Sequence, residues 1–474
     1  MFRVAASVEL ESRQARENRT VLLTAAVGIV ALIFNLIRVG RPSMWRDEVV
    51  TALMAERGPK GIFVLAGHMD LVHTPYYLTM WAWSVAFGTS EWSLRLPSVA
   101  AMAVAVAALF LLARRYTTTL GALIAAALFL VLPSTTRYAQ EARSYAFIVA
   151  AVVISTLLLH VALESRRRGW WIAYAAALAV GALFSFMSLT IILAHLVLLW
   201  RRAPLRTASF AWFPGVFVGG LIAWFGSGQA QAVGWIPPAD WKRLQDASMQ
   251  LAGSQLTAML FLAAVVALAV WMIGSHRWQD FGWLLIVAAL PLLLWIAGHF
   301  ASVFVVRYVL FAVPFYALIA AVVTTRVHIV AALAFLLAVA LLSYPEQREV
   351  RSQLGHGDDF RTAQALIAGQ ARPGDAIIFD FTAIRTGFDY YNDRTPTIPL
   401  ADPLNVSAEE DLTTFGNLSK PCTPDALGGI RRLWDVHVPG SPLVARTGQS
   451  ICGTDLRLVG TTPHGSVLVS LYQR

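Results

Sequence analysis

Charge is scarce in this sequence. Only 14% of its 474 residues are Asp, Glu, Lys or Arg, against roughly 25% in a soluble domain. Together with 57% hydrophobic residues and repeated long apolar runs, that scarcity excludes an ordinary soluble enzyme and points to a polytopic membrane protein. A cleavable secretory signal is missing too. Residues 1–20 are polar, and Val21–Ile37 is a full crossing with no small-residue cleavage site, so the start reads as a cytoplasmic segment followed by an uncleaved helix. Internal repeats and low-complexity tracts are lacking. No tight His or Cys ligand spacing occurs, so no cofactor is expected. His68 and His73 with Asp47 or Asp70 leave a divalent metal as the alternative to plain hydrogen bonding. Cysteine is nearly absent, with only Cys422 and Cys452 in the polar tail. Acidic residues are fewer than basic ones, 28 against 37, for a formal charge of +9. The arginines stand in short clusters between apolar runs, as the positive-inside rule requires, which argues against nucleic acid as a partner.

What is present is a series of apolar runs of crossing length. Eleven spans fit: 21–38, 97–113, 119–136, 143–163, 170–186, 188–200, 210–228, 256–275, 281–298, 307–325 and 327–343. Tyr76–Phe87 is apolar but short and has no basic cluster after it, so it reads as an interfacial helix. This count puts every basic cluster on the cytoplasmic side. It puts the large first loop 39–96, the loop Arg137–Arg143, the loop Gln229–Ser254 and the tail 344–474 on the other side. The domains expected are therefore 1–20, a membrane domain 21–343 and a small extracytoplasmic α/β domain 344–474. In the tail, helices are expected at Asp358–Ala368 and Phe381–Tyr390. Strands are expected at Ala376–Phe379, Asp435–Val438 and Val467–Tyr472. Outside the cytoplasm, Cys422 and Cys452 are expected to pair.

The chemistry-bearing residues gather in the non-cytoplasmic loops. Asp47 and Glu48 follow Trp45-Arg46 and precede Val49–Ala55, which has helical spacing. Asp47 reads either as a helix cap or as a general base for a hydroxyl nucleophile. Glu48 reads as a partner of Arg46 or Arg41, or as a group that orients the acceptor. Arg137, Glu141 and Tyr145 are spaced by four and would share a face if helical. They read as an interfacial ion pair with an aromatic anchor, or as the lining of a cavity with Glu141 near Asp47. Arg95, Arg143 and Arg307 fall at the ends of spans, where they either snorkel or present donors to a lipid phosphate. Trp45, Tyr76, Tyr77, Trp81 and Trp235 are candidates for stacking on a sugar or prenyl chain, with an interfacial aromatic belt as the alternative for some of them.

In order along the chain stand Asp47-Glu48, His73-Thr74-Pro75 with Tyr76-Tyr77, Phe87-Gly88, Ser90-Glu91 and Arg95-Leu-Pro-Ser98. Gln140-Glu141-Ala-Arg143 with Tyr145 follows, and late in the chain Arg307-Tyr308. In this order the chain resembles bacterial membrane glycosyltransferases of the GT-C superfamily, in the group of protein O-mannosyltransferases and lipid A aminoarabinose transferases, of an actinobacterial type. The resemblance covers about residues 20–325. It implies an inverting transfer of a sugar from a polyprenyl-monophosphate donor to an acceptor outside the cell membrane, with mannose the first choice and arabinose or galactose as others. The acceptor would be a protein, glycolipid or cell-wall glycan. The resemblance places the acid pair on Asp47 and Glu48, with Asp47 the base, and a further acidic position on Glu141. Arg95, Arg143, Arg307 and Tyr308 become donor-phosphate contacts, and His68, His73, Tyr76, Tyr77, Tyr145 and Trp45 substrate-lining positions. The family's His-Pro-Pro reads His73-Thr74-Pro75 here, which keeps the helix start and weakens any acceptor contact at Thr74. The competing reading is a transporter or flippase for a lipid-linked glycan. It would place ionisable groups at the bilayer midplane, whereas these gather at one face.

Overall fold

A computed structural model describes the chain except Met1, Arg166, Arg201, Pro204, 230–235, 396–398, 406–410, 416–418, 442–443, Ala445 and 448–449. Trp235 and part of two basic clusters therefore lie outside the described residues. The contacts fall into two compact units. One holds Met1–Ile37, Leu96–Gln140 and Ser144–Gln347. The other holds Arg38–Arg95, Glu141–Arg143 and Arg348–Arg474. The boundaries drawn from sequence, 21–343 and 344–474, are thereby redrawn, because the first loop groups with the tail and not with the spans.

The first unit is helical. Among the described residues eight helices are long and apolar enough to cross a membrane: Glu17–Leu36, Glu91–Ala113, Tyr145–Ser165, Arg206–Ser227, Gln255–Ser275, Trp278–Ala297, Val306–Val327 and Ile329–Val350. A ninth is the pair Thr119–Val131 and Pro133–Ala139, bent by 66°. The bend has a local cause: Pro133 cannot accept the helical geometry of the residue before it, and Leu132 is extended (ψ 133°). The two remaining runs expected as spans form shorter helices, Arg168–Phe184 and Phe186–Leu199. The final helix runs seven residues past the expected end, through Pro345 to Val350.

Inside this bundle two hydrogen-bonded relays meet at Thr156. Trp283 Nε1 donates to the Tyr116 hydroxyl (3.0 Å), which donates to His160 Nε2, and His160 Nδ1 donates to the Thr156 carbonyl (2.8 Å). Trp212 Nε1 donates to the Tyr174 hydroxyl (2.9 Å), which donates to His195 Nδ1 (2.9 Å). His195 Nε2 donates to Thr156 Oγ1 (3.0 Å), whose own hydrogen goes to the Val152 carbonyl (2.8 Å). The directions follow from the Thr156 and Val152 carbonyls being acceptors only, with one hydrogen on each neutral imidazole. Such a network suits a lipid-surrounded bundle only if every member is satisfied.

The second unit contains the first-loop helices Arg46–Ala66 and Thr74–Phe87 and a six-stranded sheet. The latter helix has 14 residues, too few to cross a bilayer. The former breaks at Gly58 (φ +68°), just before Pro59. The strands are β1 (Ala376–Phe379), β2 (Arg432–His437), β3 (Arg446–Thr447), β4 (Ser450–Ile451), β5 (Arg457–His464) and β6 (Val467–Gln473), in the order β1-β2-β6-β5-β4-β3. Among the described strands β1 and β2 pair in parallel and the other pairs are antiparallel. Helix Phe360–Gln370 is capped by Asp359, whose carboxylate accepts from the Thr362 amide (3.1 Å). Arg372-Pro-Gly-Asp375 is a turn with Gly374 at φ +90°, closed by Asp375 N–H to the Arg372 carbonyl (3.0 Å). Cys422 and Cys452 form the disulfide. A cavity of about 360 Å³ lies between helices Arg46–Ala66 and Thr382–Asn392, lined by Val49, Leu53, Glu56, Arg57, Arg385 and Asp389 among others.

Two predictions follow from this packing. Thr156→Val leaves the buried His195 Nε2–H without its acceptor and should destabilise the detergent-solubilised chain by about 1 kcal/mol, while Thr156→Ser should not. Equal thermal unfolding of all three proteins would show that the relays add nothing. In the cavity, burial pushes the Asp389 carboxyl up to about 7, against Arg385 and with help from Asp393 and Asp402. The native state therefore holds this proton between an unfolded value of about 3.9 and that raised value. Its contribution is present below the unfolded value and is lost as pH rises to 7. Asp389→Asn should flatten the fall in melting temperature between pH 5 and 8; an unchanged slope would contradict this.

Candidate active site

The stretch before helix Arg46–Ala66 is irregular, and its register is set by backbone and side-chain groups from elsewhere in the second unit. Ser43 N–H donates to the Gln353 carbonyl (3.2 Å) and Met44 N–H to the Tyr391 hydroxyl (2.9 Å). Arg361 donates to the carbonyls of Gly40 (3.2 Å) and Arg41 (3.0 Å). Trp45, half-buried, is the residue at the cap position of the helix, and its side chain makes no capping bond. Asp47 is thus already inside the first turn, which corrects the expectation that it caps the helix. Its side chain is half-buried.

Its neighbour has another fate. Glu48 and Arg95 are both 0% exposed. Arg95 Nε and Nη2 form a fork onto Glu48 Oε1 (2.8 Å) and Oε2 (2.7 Å). The other donors of Arg95 go to the carbonyls of Val39 (2.7 Å), Pro42 (2.9 Å) and Ser43 (3.2 Å). All five guanidinium donors are spent within the protein. The expectation that Arg95 contacts a donor phosphate is corrected. Glu48 is equally occupied. Oε1 also accepts from the Ala142 amide (2.8 Å) and Oε2 meets His356 Nδ1 at 3.1 Å. Burial alone would raise the Glu48 carboxyl, but Arg95 and His356 hold it well below the usual carboxylate range. Having no proton to offer, it accepts from an Nδ1–H of His356. A carboxylate with four donors on it serves neither as a base nor as an acceptor-orienting group. The expected pairing with Arg46 or Arg41 gives way to pairing with Arg95 because only a buried fork satisfies both oxygens.

The segment Glu141–Arg143 is fixed through its middle residue. Ala142 N–H goes to Glu48 and the Ala142 carbonyl accepts from Thr51 Oγ1 (2.9 Å). Glu141 and Arg143, both buried, are thereby set beside the first turn that carries Asp47. Arg143 Nη1 reaches the Asp47 carbonyl (3.4 Å) and the Tyr77 hydroxyl (3.2 Å), with its guanidinium over the Tyr77 ring. Tyr77 donates to Asp70 (2.5 Å), and His73 Nε2 lies 3.7 Å from the same carboxylate. Tyr76 is buried beside Tyr77. His68 instead bonds back to the Val64 carbonyl through Nδ1 (2.9 Å). Among the described residues no group of three His, Cys, Asp or Glu is arranged for a metal ion.

Two expectations about this loop need amendment. Helix Pro133–Ala139 ends before Gln140, so Arg137, Glu141 and Tyr145 do not share a helical face. Tyr145 starts the next span and, with Arg307 and Tyr308, belongs to the first unit. There the Arg307 guanidinium covers the Tyr145 ring at 5.8 Å, and both Arg307 and Tyr308 are half-buried in a 3-10 turn, Val306–Ala312.

Sequence reasoning missed His356 and Asp358. They follow the last span in the run Gly355-His-Gly-Asp-Asp359. A dense polar and glycine cluster at the mouth of a span was the available signal. Asp358 accepts from the Arg46 amide (3.0 Å), Nε (3.0 Å) and Nη2 (2.9 Å).

Residues 73–224 match the family model of the dolichyl-phosphate-mannose-protein mannosyltransferases. The fold matches that of ArnT from Cupriavidus metallidurans. The structure of ArnT bound to undecaprenyl phosphate aligns at TM-score 0.56 and 13% identity, over 95% of this chain and 97% of that one. The apo structure aligns at 0.56 and 14%, over 96% and 98%. The chain has the fold of the GT-C membrane glycosyltransferases. No curated protein matches its sequence. At this identity the likeness carries the architecture alone.

The buried pair yields a direct test. Arg95→Met should cost about 3–5 kcal/mol by stranding the Glu48 carboxylate. Adding Glu48→Gln should recover part of that loss in thermal unfolding of the solubilised protein. A double variant no more stable than the single one would mean that the stranded charge is not the cause.

Proposed function

We propose that this chain is an inverting glycosyltransferase that moves a sugar from a polyprenyl-monophosphate donor to an acceptor hydroxyl, with Asp47 as general base. One observation carries the reading. Two adjacent acids open one helix, and Glu48 is consumed by Arg95, His356 and Ala142, so the base assignment falls on Asp47. The GT-C fold over nearly the whole chain supports the reaction class, and the undecaprenyl phosphate held by the solved relative supports a polyprenyl-phosphate donor. Mannose is the first choice of sugar, supported by the description of the matching family model. The acceptor is taken as a protein, glycolipid or cell-wall glycan. The active site and the sheet domain are read as facing outward from a bacterial cell membrane. The distribution of basic clusters and the Cys422–Cys452 disulfide support this.

The chemistry balances without a nucleotide. The acceptor oxygen attacks the anomeric carbon from the face opposite the phosphate. The acceptor proton passes to the Asp47 carboxylate. The bond between the anomeric carbon and the phosphate oxygen breaks, and its electron pair stays on the lipid phosphate. Cationic groups stabilise the charge that grows there, and Arg143, beside the turn that carries Asp47, is assigned this task now that Arg95 is spent. Glu141 is assigned as the second acidic group beside Asp47.

Asp47→Asn should bind undecaprenyl phosphate with wild-type affinity and lose transfer by about 10³-fold, measured with a panel of undecaprenyl-phosphate sugars beginning with mannose. Transfer at the wild-type rate would remove Asp47 as base.

A further inference from the structure

We propose that the tail segment His356-Gly357-Asp358 is the positioning element of the active site, gripping the residues on either side of Asp47 so that the backbone from which its carboxylate projects is held in one place. The inference rests on the reading of Asp47 as the base. Asp358 holds Arg46 by three bonds, one to its backbone amide. His356 holds Glu48 from Nδ1 (3.1 Å), and both side chains are 0% exposed. Asp47, one residue from each grip, has no freedom of rotation about the helix axis that does not break one of them. Arg46 and Glu48 cannot both shift unless the tail segment shifts with them.

The segment is itself fixed. Asp359 N–H donates to the His464 carbonyl (3.2 Å) and Ser466 N–H to the Gly357 carbonyl (2.9 Å), so the segment is clamped to the turn between β5 and β6. Ser466 Oγ also bonds Asp358. Gly357 sits at φ +97°, which glycine alone adopts without strain. A Cβ on Gly465, at φ +69°, would lie 1.8 Å from the Gly357 carbonyl oxygen. The turn has thus been kept bare at the point where the clamp closes. Arg46 bonds Ser466 as well (3.2 Å), so the turn, the segment and the first turn of the helix form one bonded cycle. Neither His356 nor Asp358 is assigned a contact with substrate. Their effect is transmitted through Arg46 and Glu48, which gives the sheet domain a task in the reaction.

The test uses the full-length chain with Asp358→Asn, His356→Ala, His356→Asn and Asp47→Asn. Hydrogen exchange is read at the amides of residues 46–51, binding with undecaprenyl phosphate, and transfer with the same undecaprenyl-phosphate sugars. Asp358→Asn and His356→Ala should speed exchange at those amides by about tenfold, the loss of one charge-assisted bond, with exchange elsewhere unchanged. They should lower kcat by about 100-fold, as a misplaced catalytic group does, and leave the donor KM and the undecaprenyl phosphate affinity in place. His356→Asn, whose amide N–H replaces Nδ1–H, should restore both. Wild-type exchange at residues 46–51, or exchange rising uniformly through the chain, overturns the proposal. So does a wild-type kcat in these variants where Asp47→Asn is inactive. Full transfer by Asp47→Asn would instead remove the base assignment, and the exchange data would still decide whether His356 and Asp358 fix the first turn.

Discussion

The fully buried ion pair of Glu48 and Arg95 is the constraint on which the candidate site depends. Desolvating two charges is costly, and a buried pair is commonly no more stable than an apolar substitute. Here the pair does something an apolar substitute cannot. Five guanidinium donors tie together the start of helix Arg46–Ala66 and the carbonyls of Val39, Pro42 and Ser43. The carboxylate in turn holds the Ala142 amide. Three stretches distant in sequence are thereby given one relative placement. Removing either charge strands the other and releases all three.

The stretch from Val39 to Trp45 shows why so many side chains are needed. It is neither helix nor strand, so its amides and carbonyls have no ladder. Buried backbone groups without partners cost about as much as lost hydrogen bonds. Arginines answer the carbonyls, because each fork can take several oxygens. Arg95 takes three and Arg361 takes those of Gly40 and Arg41. The amides of Ser43, Met44 and Arg46 find Gln353, Tyr391 and Asp358. Every one of those last acceptors belongs to the tail. A loop of this length with unpaired backbone could not keep a carboxylate aimed, and the tail supplies what regular secondary structure would have supplied.

Much of the membrane unit was legible because one physical rule dominates it. A run of crossing length is apolar whatever it packs against, so all eleven runs appear as helices, with uncertainty only where Pro133 bends one and where 168–199 divides into short pieces. In the tail, β1 and β6 were readable as apolar runs. Strand β5 was not, since it is mostly exposed and carries Gly460 and Pro463, residues that ordinarily mark turns. The closeness of Glu141 and Arg143 to the turn that carries Asp47 could be read from motif order. The diversion of Glu48 and Arg95 to structure could not, because an acid and an arginine 47 positions apart reveal their pairing only when the chain between them is folded. His356 and Asp358 were invisible for the same reason, being more than 300 residues from what they hold.

Adjacent acids on one helix invite the question of why both are present. Successive residues point about 100° apart around the axis, so one can face the packed interior while the next faces elsewhere. Glu48 takes the interior and is saturated by charge-assisted donors, which fixes it as an anion with no free lone pair. Asp47 is half-buried and lies one position round the helix from it. The longer side chain suits the buried role, since it must reach Arg95, Ala142 and His356 at once. The shorter one has fewer rotamers to lose and stays close to the helix start, where backbone position sets where its oxygens lie. An exchange of the two residues would put a carboxylate one methylene short against Arg95 and a flexible one where aim is needed. The order Asp-Glu, and not merely the presence of two acids, is therefore what this geometry demands.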